Sequence, residues 1–438
     1  MTEGEAAQAV PAHAALPRWR DRQAWLKTAD VFAILTVATL PWSTSLPSIC
    51  AAIWILVLLP AIEWRDFLRL LRDPACWLPV ALFALAVVGM LWSIAPWNER
   101  LHGVNPVGKL LMLPLIIYHF RQSPRGPWVF GTFLVSCTLL MLLSWLSAYD
   151  FRFVIKAEGA IPGVPVKNSI AQSQDFVLCV AGLAWLLLAM LRRRRLWLAL
   201  LFAVVALGFV LNMMFVVVAR TALITLPVLL GVLFLLYLKP RALLLAAVAT
   251  VAAVALLWAT SPNFRSQLTR IASEAAEYRT SETVTSAGLR LEYWRKSLRF
   301  FAEAPLIGHG TGATRTLFVG AAEGQSGIRA EVIGNPHNQT LYVAVQWGTL
   351  GVVLLWLMWL RHLLLFRGPP PGQELAAWIG LAVVLQNIAS SLFNSHLFDF
   401  HEGWMYIIGV GIAGGMMLQT GSRAARNARC KVPAAYPN

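Results

Sequence analysis

The residues in this chain best suited to chemistry are basic ones placed beside apolar runs. Arg220 interrupts Val216-Val217-Val218-Ala219-Arg220-Thr221-Ala222, and Lys109 sits a turn or so inside the end of another apolar run. Arg265, Arg270 and Arg290 follow in a long polar stretch. His337 stands in Asn335-Pro336-His337-Asn338-Gln339-Thr340-Leu341, where that stretch turns apolar again. A charge at a bilayer costs free energy unless it snorkels, pairs or faces a cavity. Arg220 is therefore either an interfacial anchor or an anion ligand, and the same choice holds for Lys109. A guanidinium can grip phosphate through two parallel hydrogen bonds and can stabilise the charge on a departing pyrophosphate. A neutral histidine can take a proton from a hydroxyl. The set suits a displacement in which arginines hold the diphosphate of a lipid-linked substrate and His337 deprotonates the attacking sugar hydroxyl.

Neighbouring residues refine this. Asn338 is placed to cap the helix that follows. Pro305-Leu306-Ile307-Gly308-His309-Gly310-Thr311-Gly312 reads as a tight turn whose N–H groups either meet an anion or simply turn the chain. It is not a nucleotide-binding loop, because the GK[ST] ending is absent. Asp399, in Asn394-Ser395-His396-Leu397-Phe398-Asp399, is a further polar candidate whose plain alternative is a solvated loop carboxylate. No Asp-x-Asp pair stands out in these loops, which predicts chemistry without a metal. The five cysteines show no CxxC and no Cys-His spacing suited to a metal.

The elements that must position these residues are membrane helices. The chain of 438 residues is 58% hydrophobic and only 13% charged, against about 25% charge in soluble domains. Apolar runs of bilayer length, about 20 residues, recur from Asp30 to Thr420, many flanked by tryptophan. Spans are predicted near 29–46, 47–62, 76–95, 104–119, 127–147, 170–191, 196–218, 221–238, 242–260, 338–360, 374–393 and 403–420. The first two could instead form a re-entrant pair around Pro47. The fold class is thus an all-α integral membrane protein of about 12 transmembrane helices. Its parts are an N-terminal segment 1–28, helices over 29–260, a loop 261–337, helices over 338–420 and a basic tail 421–438. No cleavable leader is expected, and no appended soluble domain.

The net charge of +15 is a topology signal here and not a nucleic-acid footprint. With the N-terminus inside, cytoplasmic gaps (Arg18 to Lys27, Arg65 to Arg72, Arg121 and Arg125, Arg192 to Arg195, Lys239 and Arg241, Arg361 and Arg367, and the tail) collect 21 of 36 basic residues. The opposite side, outside the long loop, holds six: Arg100, Lys109, Arg152, Lys156, Lys167 and Arg220. That bias places the loop 261–337 outside the cytoplasm. Within it, Phe264 to Tyr278 and the face Leu291, Trp294, Leu298, Phe301 predict two short amphipathic helices on the membrane surface.

In this order and topology, Arg220 at a span end, Arg290-x-x-Tyr293-Trp294, the Pro305 to Gly312 stretch and Pro336-His337-Asn338 resemble the O-antigen ligase and polymerase superfamily. The resemblance implies a glycosyltransferase of the bacterial inner membrane acting at the periplasmic face. It implies an undecaprenyl-pyrophosphate-linked glycan as donor and, for a ligase, a sugar of lipid A–core oligosaccharide as acceptor. The reaction would invert the anomeric centre, with no cofactor and no metal. The implied essential positions are Arg220, a loop arginine best matched by Arg290, and His337, with Lys109 and Asp399 as further matches. Arg265 and Arg270 compete with Arg290 for the phosphate role. A polymerase of the same superfamily would share nearly all of these residues. A transporter or flippase would instead place paired charges or broken helices near the bilayer middle, where only Gln386-Asn387 offers a hint.

Overall fold

The computed structural model describes residues 21–155, 161–280 and 285–430. Residues 1–20 and 431–438 of the expected terminal segments lie outside these, with Arg18, Arg20, Lys156 and Lys431 of the basic count. The described residues form seventeen α-helices with short 3-10 and π turns, and no β-strand. The first half comprises α1 (Arg22–Thr39), α2 (Ser45–Leu58), α3 (Trp64–Leu70), α4 (Pro74–Val88), α5 (Trp97–Gly108), α6 (Met112–Gln122), α7 (Gly126–Tyr149) and α8 (Ser169–Arg192). Then follow α9 (Leu196–Leu211), α10 (Arg220–Tyr237), α11 (Pro240–Thr260), α12 (Pro262–Thr280), α13 (Ser286–Glu303) and α14 (Ala313–Ala322). The chain closes with α15 (Gln339–Leu365), α16 (Glu374–Ser391) and α17 (Phe400–Cys430).

Each expected apolar run coincides with helix, but twelve crossings are not what length and composition give. Among the described residues, eight helical segments are long and apolar enough to cross a membrane, α5 and α6 together making one, and a ninth is added if α2 and α3, bent by 115°, count as one span. The physical reasons are local. Helix α4 has 15 residues, about 22 Å of rise, short of a hydrocarbon core of about 30 Å. Helix α1 carries Lys27 and Asp30. Helix α17, which runs on to Cys430, carries His401 and Glu402 in its first turn and dilutes its apolar residues with Gly403, Gly409, Gly411, Gly414 and Gly415.

The apolar surface is what a lipid-facing bundle requires. Helix α11 buries no residue at all, and Leu244, Leu245 and Val251 are about two-thirds exposed (67%, 71% and 70%). In water such a surface would drive aggregation, whereas in lipid it is ordinary. Polar residues turn inward. Gln386 donates to both oxygens offered by Gln174 (2.8 and 2.5 Å), and Asn387 accepts from Trp359 Nε1 (3.2 Å), so this pair joins helices.

Helix α15 is broken at Gly348, whose φ of 59° and ψ of −156° leave the helical region. A break frees backbone groups that a membrane protein must satisfy internally. The Pro305 to Gly312 segment does so. His309 and Gly310 N–H donate to the carbonyls of Val345 (3.0 Å) and Gln346 (2.8 Å), while Thr349 and Leu350 N–H donate to Pro305 (2.8 Å) and Leu306 (3.2 Å). Thr311 N–H donates to Gly89 (3.1 Å), and Gly312 N–H to Gln346 Oε1 (2.7 Å). The glycine-rich turn is thus a seam that repairs a broken helix. Its N–H groups are spent on the protein, so the anion-binding alternative is not what the fold builds.

The 261–337 stretch contains the two expected helices, as α12 and α13, and a third, α14, between residues 313 and 322. Helix α13 has a second, protein-facing side beside the expected apolar face. Tyr293 and Phe300 pack on Phe318 and Val345, and Lys296 is buried with them, donating to the Arg329 carbonyl (2.5 Å) over the Phe318 ring. Leu291 and Leu298 stay exposed.

Candidate active site

The starts of α15 and α17 and the end of α16 meet at one end of the bundle, and the start of α10 joins them through α8, whose first turns reach His401 by Asp175 and the turn before α10 by Gln172, Ser144 and Asn212. There His337 is held by two facing loops. Its φ of 53° lies in the left-handed region, which costs a residue with a Cβ roughly 1 kcal/mol or more. Asn335 holds that conformation: its Oδ1 accepts from His337 N–H (2.9 Å) and from Ser395 Oγ (2.7 Å). Asn338 caps α15 through Leu341 N–H (3.0 Å), as expected, and also donates to the Leu392 carbonyl (3.0 Å). Gln339 Oε1 accepts from Leu397 N–H (3.1 Å). These contacts stitch residues 335–339 to residues 392–397. The imidazole Nδ1 lies 2.7 Å from Asn394 Oδ1, and the ring is half-buried.

Helix α13 closes one side of the histidine. The Tyr293 ring lies 6.2 Å from it, tilted by 31°. Arg290 is three residues earlier, so it shares that face one turn away. Its charge reaches His396, which is fully buried with neither ring nitrogen hydrogen-bonded. Burial lowers the His396 pKa; Glu402 opposes this, while Arg290, His401 and His337 push the same way as burial. Arg290, His396 and His337 therefore share one electrostatic neighbourhood.

Arg220 begins α10 after a π turn, Asn212–Val216, and an extended link. The start of α12 packs on that turn: Ser261 Oγ donates to the Met214 carbonyl (2.8 Å) and Asn263 Nδ2 to that of Phe215 (3.1 Å). One turn on, Gln267 Oε1 accepts from Arg220 Nε (3.3 Å). Arg265 and Arg270 lie on the same helix and are exposed. Helix α12, which Arg220 reaches through Gln267, packs in turn on α13, the helix that carries Arg290.

Lys109 is placed differently. Its Nζ donates to the carbonyls of Phe398 (3.0 Å) and Asp399 (2.5 Å), bracing the loop that carries Asn394. The Asp399 carboxyl is pushed up to about 7 by burial and then by Glu402, with Lys109 opposing. A second chain of contacts lies beside it. Lys167 Nζ donates to the Leu40 carbonyl and to His401 Nδ1 (2.9 Å), and His401 Nε2 donates to the buried Asp175 (2.9 Å). Burial lowers the Lys167 pKa against the pull of Asp175 and Glu402.

Sequence reading did not single out Asn335, Asn394, Ser395, Gln339 or the Lys167–His401–Asp175 chain. The available signal was that two polar clusters, Asn335 to Gln339 and Asn394 to His396, each sit at a span end. Among the described residues, no three His, Cys, Asp or Glu side chains converge as metal ligands would.

Fold and site together define a multi-pass helical membrane protein with a histidine and several cationic side chains at one end of its bundle. Residues 209–356 match the family described as O-Antigen ligase, and over that third of the chain it carries a domain of the O-antigen ligase superfamily. Arg220, Arg265, Arg270, Arg290, His337 and Asn338 fall inside the matched stretch; Lys109, Asn394 and Asp399 fall outside it. No match was found among curated proteins.

Proposed function

We propose that this protein is an O-antigen ligase acting at the periplasmic face of the bacterial inner membrane. Its donor is a glycan on undecaprenyl pyrophosphate, and its acceptor is a sugar hydroxyl of lipid A–core oligosaccharide. Arg220 and Arg290 hold the pyrophosphate, with Arg265 at the rim. His337 takes the proton of the acceptor hydroxyl as its oxygen attacks the anomeric carbon. The bond from that carbon to pyrophosphate breaks, and the arginines stabilise the charge left on the leaving group. Attack from the face opposite the leaving group inverts the anomeric centre, so an α-linked donor yields a β-linked product. Lys109 and Asp399 support the loop behind the histidine.

The observation that carries this reading is the fixed imidazole of His337, inside the matched stretch and beside Tyr293, which lies one turn along α13 from Arg290. A polymerase joining repeat units would use the same groups, since both reactions attack the same kind of donor. The experiment that separates them is deletion of the gene followed by lipopolysaccharide electrophoresis. Loss of the whole ladder with intact core is the ligase result. Core carrying a single repeat would make the protein a polymerase, and an unchanged ladder would remove both.

A further inference from the structure

We infer that Asn394 is a positioning residue that sets the tautomer of His337, keeping the hydrogen on Nδ1 and leaving the Nε2 lone pair to take the acceptor's proton. The inference rests on the reading of His337 as the base. A neutral imidazole carries its single hydrogen on one nitrogen or the other, and whatever the far nitrogen bonds decides which. At His337 that far nitrogen is Nδ1, 2.7 Å from Asn394 Oδ1. An amide oxygen only accepts, so this contact requires Nδ1–H and leaves Nε2 as the basic atom.

The surroundings are built to hold that geometry. Asn394 stands in the short loop between α16 and α17. Its neighbour Ser395 is tied to Asn335, and Asn335 in turn holds the His337 backbone at its unusual φ. On the opposite loop, Asn338 and Gln339 bond Leu392 and Leu397, on either side of Asn394. Lys109 braces the far end of the same loop at Phe398 and Asp399. The imidazole and its partner are thus fixed from both sides. The partner is an amide where a carboxylate would fit equally well. A carboxylate would accept the same hydrogen but would also stabilise the imidazolium, holding the base protonated to higher pH. An amide orients without that charge.

The test uses the full-length protein in detergent or nanodiscs, with pH profiles of transfer. Asn394→Ala is expected to lose about 10- to 100-fold in kcat, by analogy with the loss seen when the hydrogen-bond partner behind a metal-bound imidazole is removed, with the KM for donor little changed. Asn394→Asp, the same size as the native residue, is expected to keep the maximal rate and to move the acid limb of the profile up by about one unit or more. A residue that braced the loop without touching the imidazole would not move that limb, and the loss of kcat in Asn394→Ala would show that the contact serves catalysis. The inference is overturned if Asn394→Ala turns over at the native rate, or if Asn394→Asp leaves the limb in place. Should Asn394→Ala fail to accumulate, the limb of Asn394→Asp still decides. His337→Ala run alongside separates the two levels: if it transfers normally, the reading of the base fails, whereas if only the Asn394 results fail, the base stands and its orientation has another source.

Discussion

Gly308 and Gly348 occupy the two sides of one backbone seam. A Cβ on Gly308 would stand 2.5 Å from the Gln346 carbonyl oxygen, and one on Gly348 would stand 2.4 Å from that of Leu306. Both residues have positive φ, 66° and 59°. Either side chain would be strained by its own backbone, on the order of 1 kcal/mol, and would force apart the hydrogen bonds that repair α15. Gly308→Ala and Gly348→Ala should each lower the thermal midpoint of the purified protein, more than Gly320→Ala, where a Cβ meets nothing. Equal midpoints for the three variants would mean that the seam does not hold the helix.

Much of the layout was legible because apolar runs of bilayer length and their basic flanks leave a strong imprint. Arg220 and His337 stood out in the sequence because each is a polar residue at the edge of an apolar run, and Arg290 because of the Arg290-x-x-Tyr293-Trp294 motif it opens. The seam was legible only as punctuation: Gly308, Gly310 and Gly312 signal a turn, but nothing nearby says that their partner is a helix break some forty residues later. Asn394 was invisible for a similar reason, since its meaning lies in a contact with His337 across 57 residues. The protein-facing side of α13 was not legible, because Lys296 counts as polar in any periodic pattern yet folds inward onto a carbonyl and an aromatic ring.

The membrane orientation is open to labelling. In a cysteine-free background, Ser326→Cys places a thiol on an exposed part of the 261–337 stretch. A membrane-impermeant maleimide should label it in intact spheroplasts. Labelling that appears only after lysis would put the stretch, and His337 with it, on the cytoplasmic side.

Arg220 tests the donor site. Arg220→Lys keeps a positive charge but removes the planar fork that grips phosphate bidentately. Transfer should fall steeply in both Arg220→Lys and Arg220→Ala, with protein levels unchanged. Full activity in the alanine variant would return Arg220 to an interfacial anchor tied to Gln267.

Asp399 gives the fold a pH dependence with a definite sign. Its carboxyl is pushed up to about 7 by burial, then Glu402, so the native state holds a proton that the unfolded chain releases near pH 4. Native stability from this group therefore falls as pH rises from about 4 to about 7, and is flat above. Asp399→Asn fixes the neutral form. Thermal midpoints of the variant should exceed the native ones by a margin that widens from about pH 5 to about pH 8. A margin that stays constant or narrows would show that the carboxyl ionises without cost in its loop.

His337 carries the sharpest expectation, because two roles compete for it. As a base it takes a proton in the transition state and adds little to ground-state affinity. As a phosphate ligand it would bind donor and leave the chemistry to others. General-base assistance is typically worth about 100- to 10,000-fold in rate. His337→Ala should lose transfer by something in that range while still binding lipid-linked donor, and donor binding must be measured on the same preparation. His337→Gln should not recover the rate. Its amide can keep a hydrogen bond to Asn394, yet it has no lone pair basic enough to take the hydroxyl proton. If transfer and donor binding fall together, the histidine belongs to the pyrophosphate site with the arginines. If transfer survives near the native rate in both variants, the fixed imidazole serves the seam between the 335–339 and 392–397 loops and the base must be sought elsewhere at this end of the bundle.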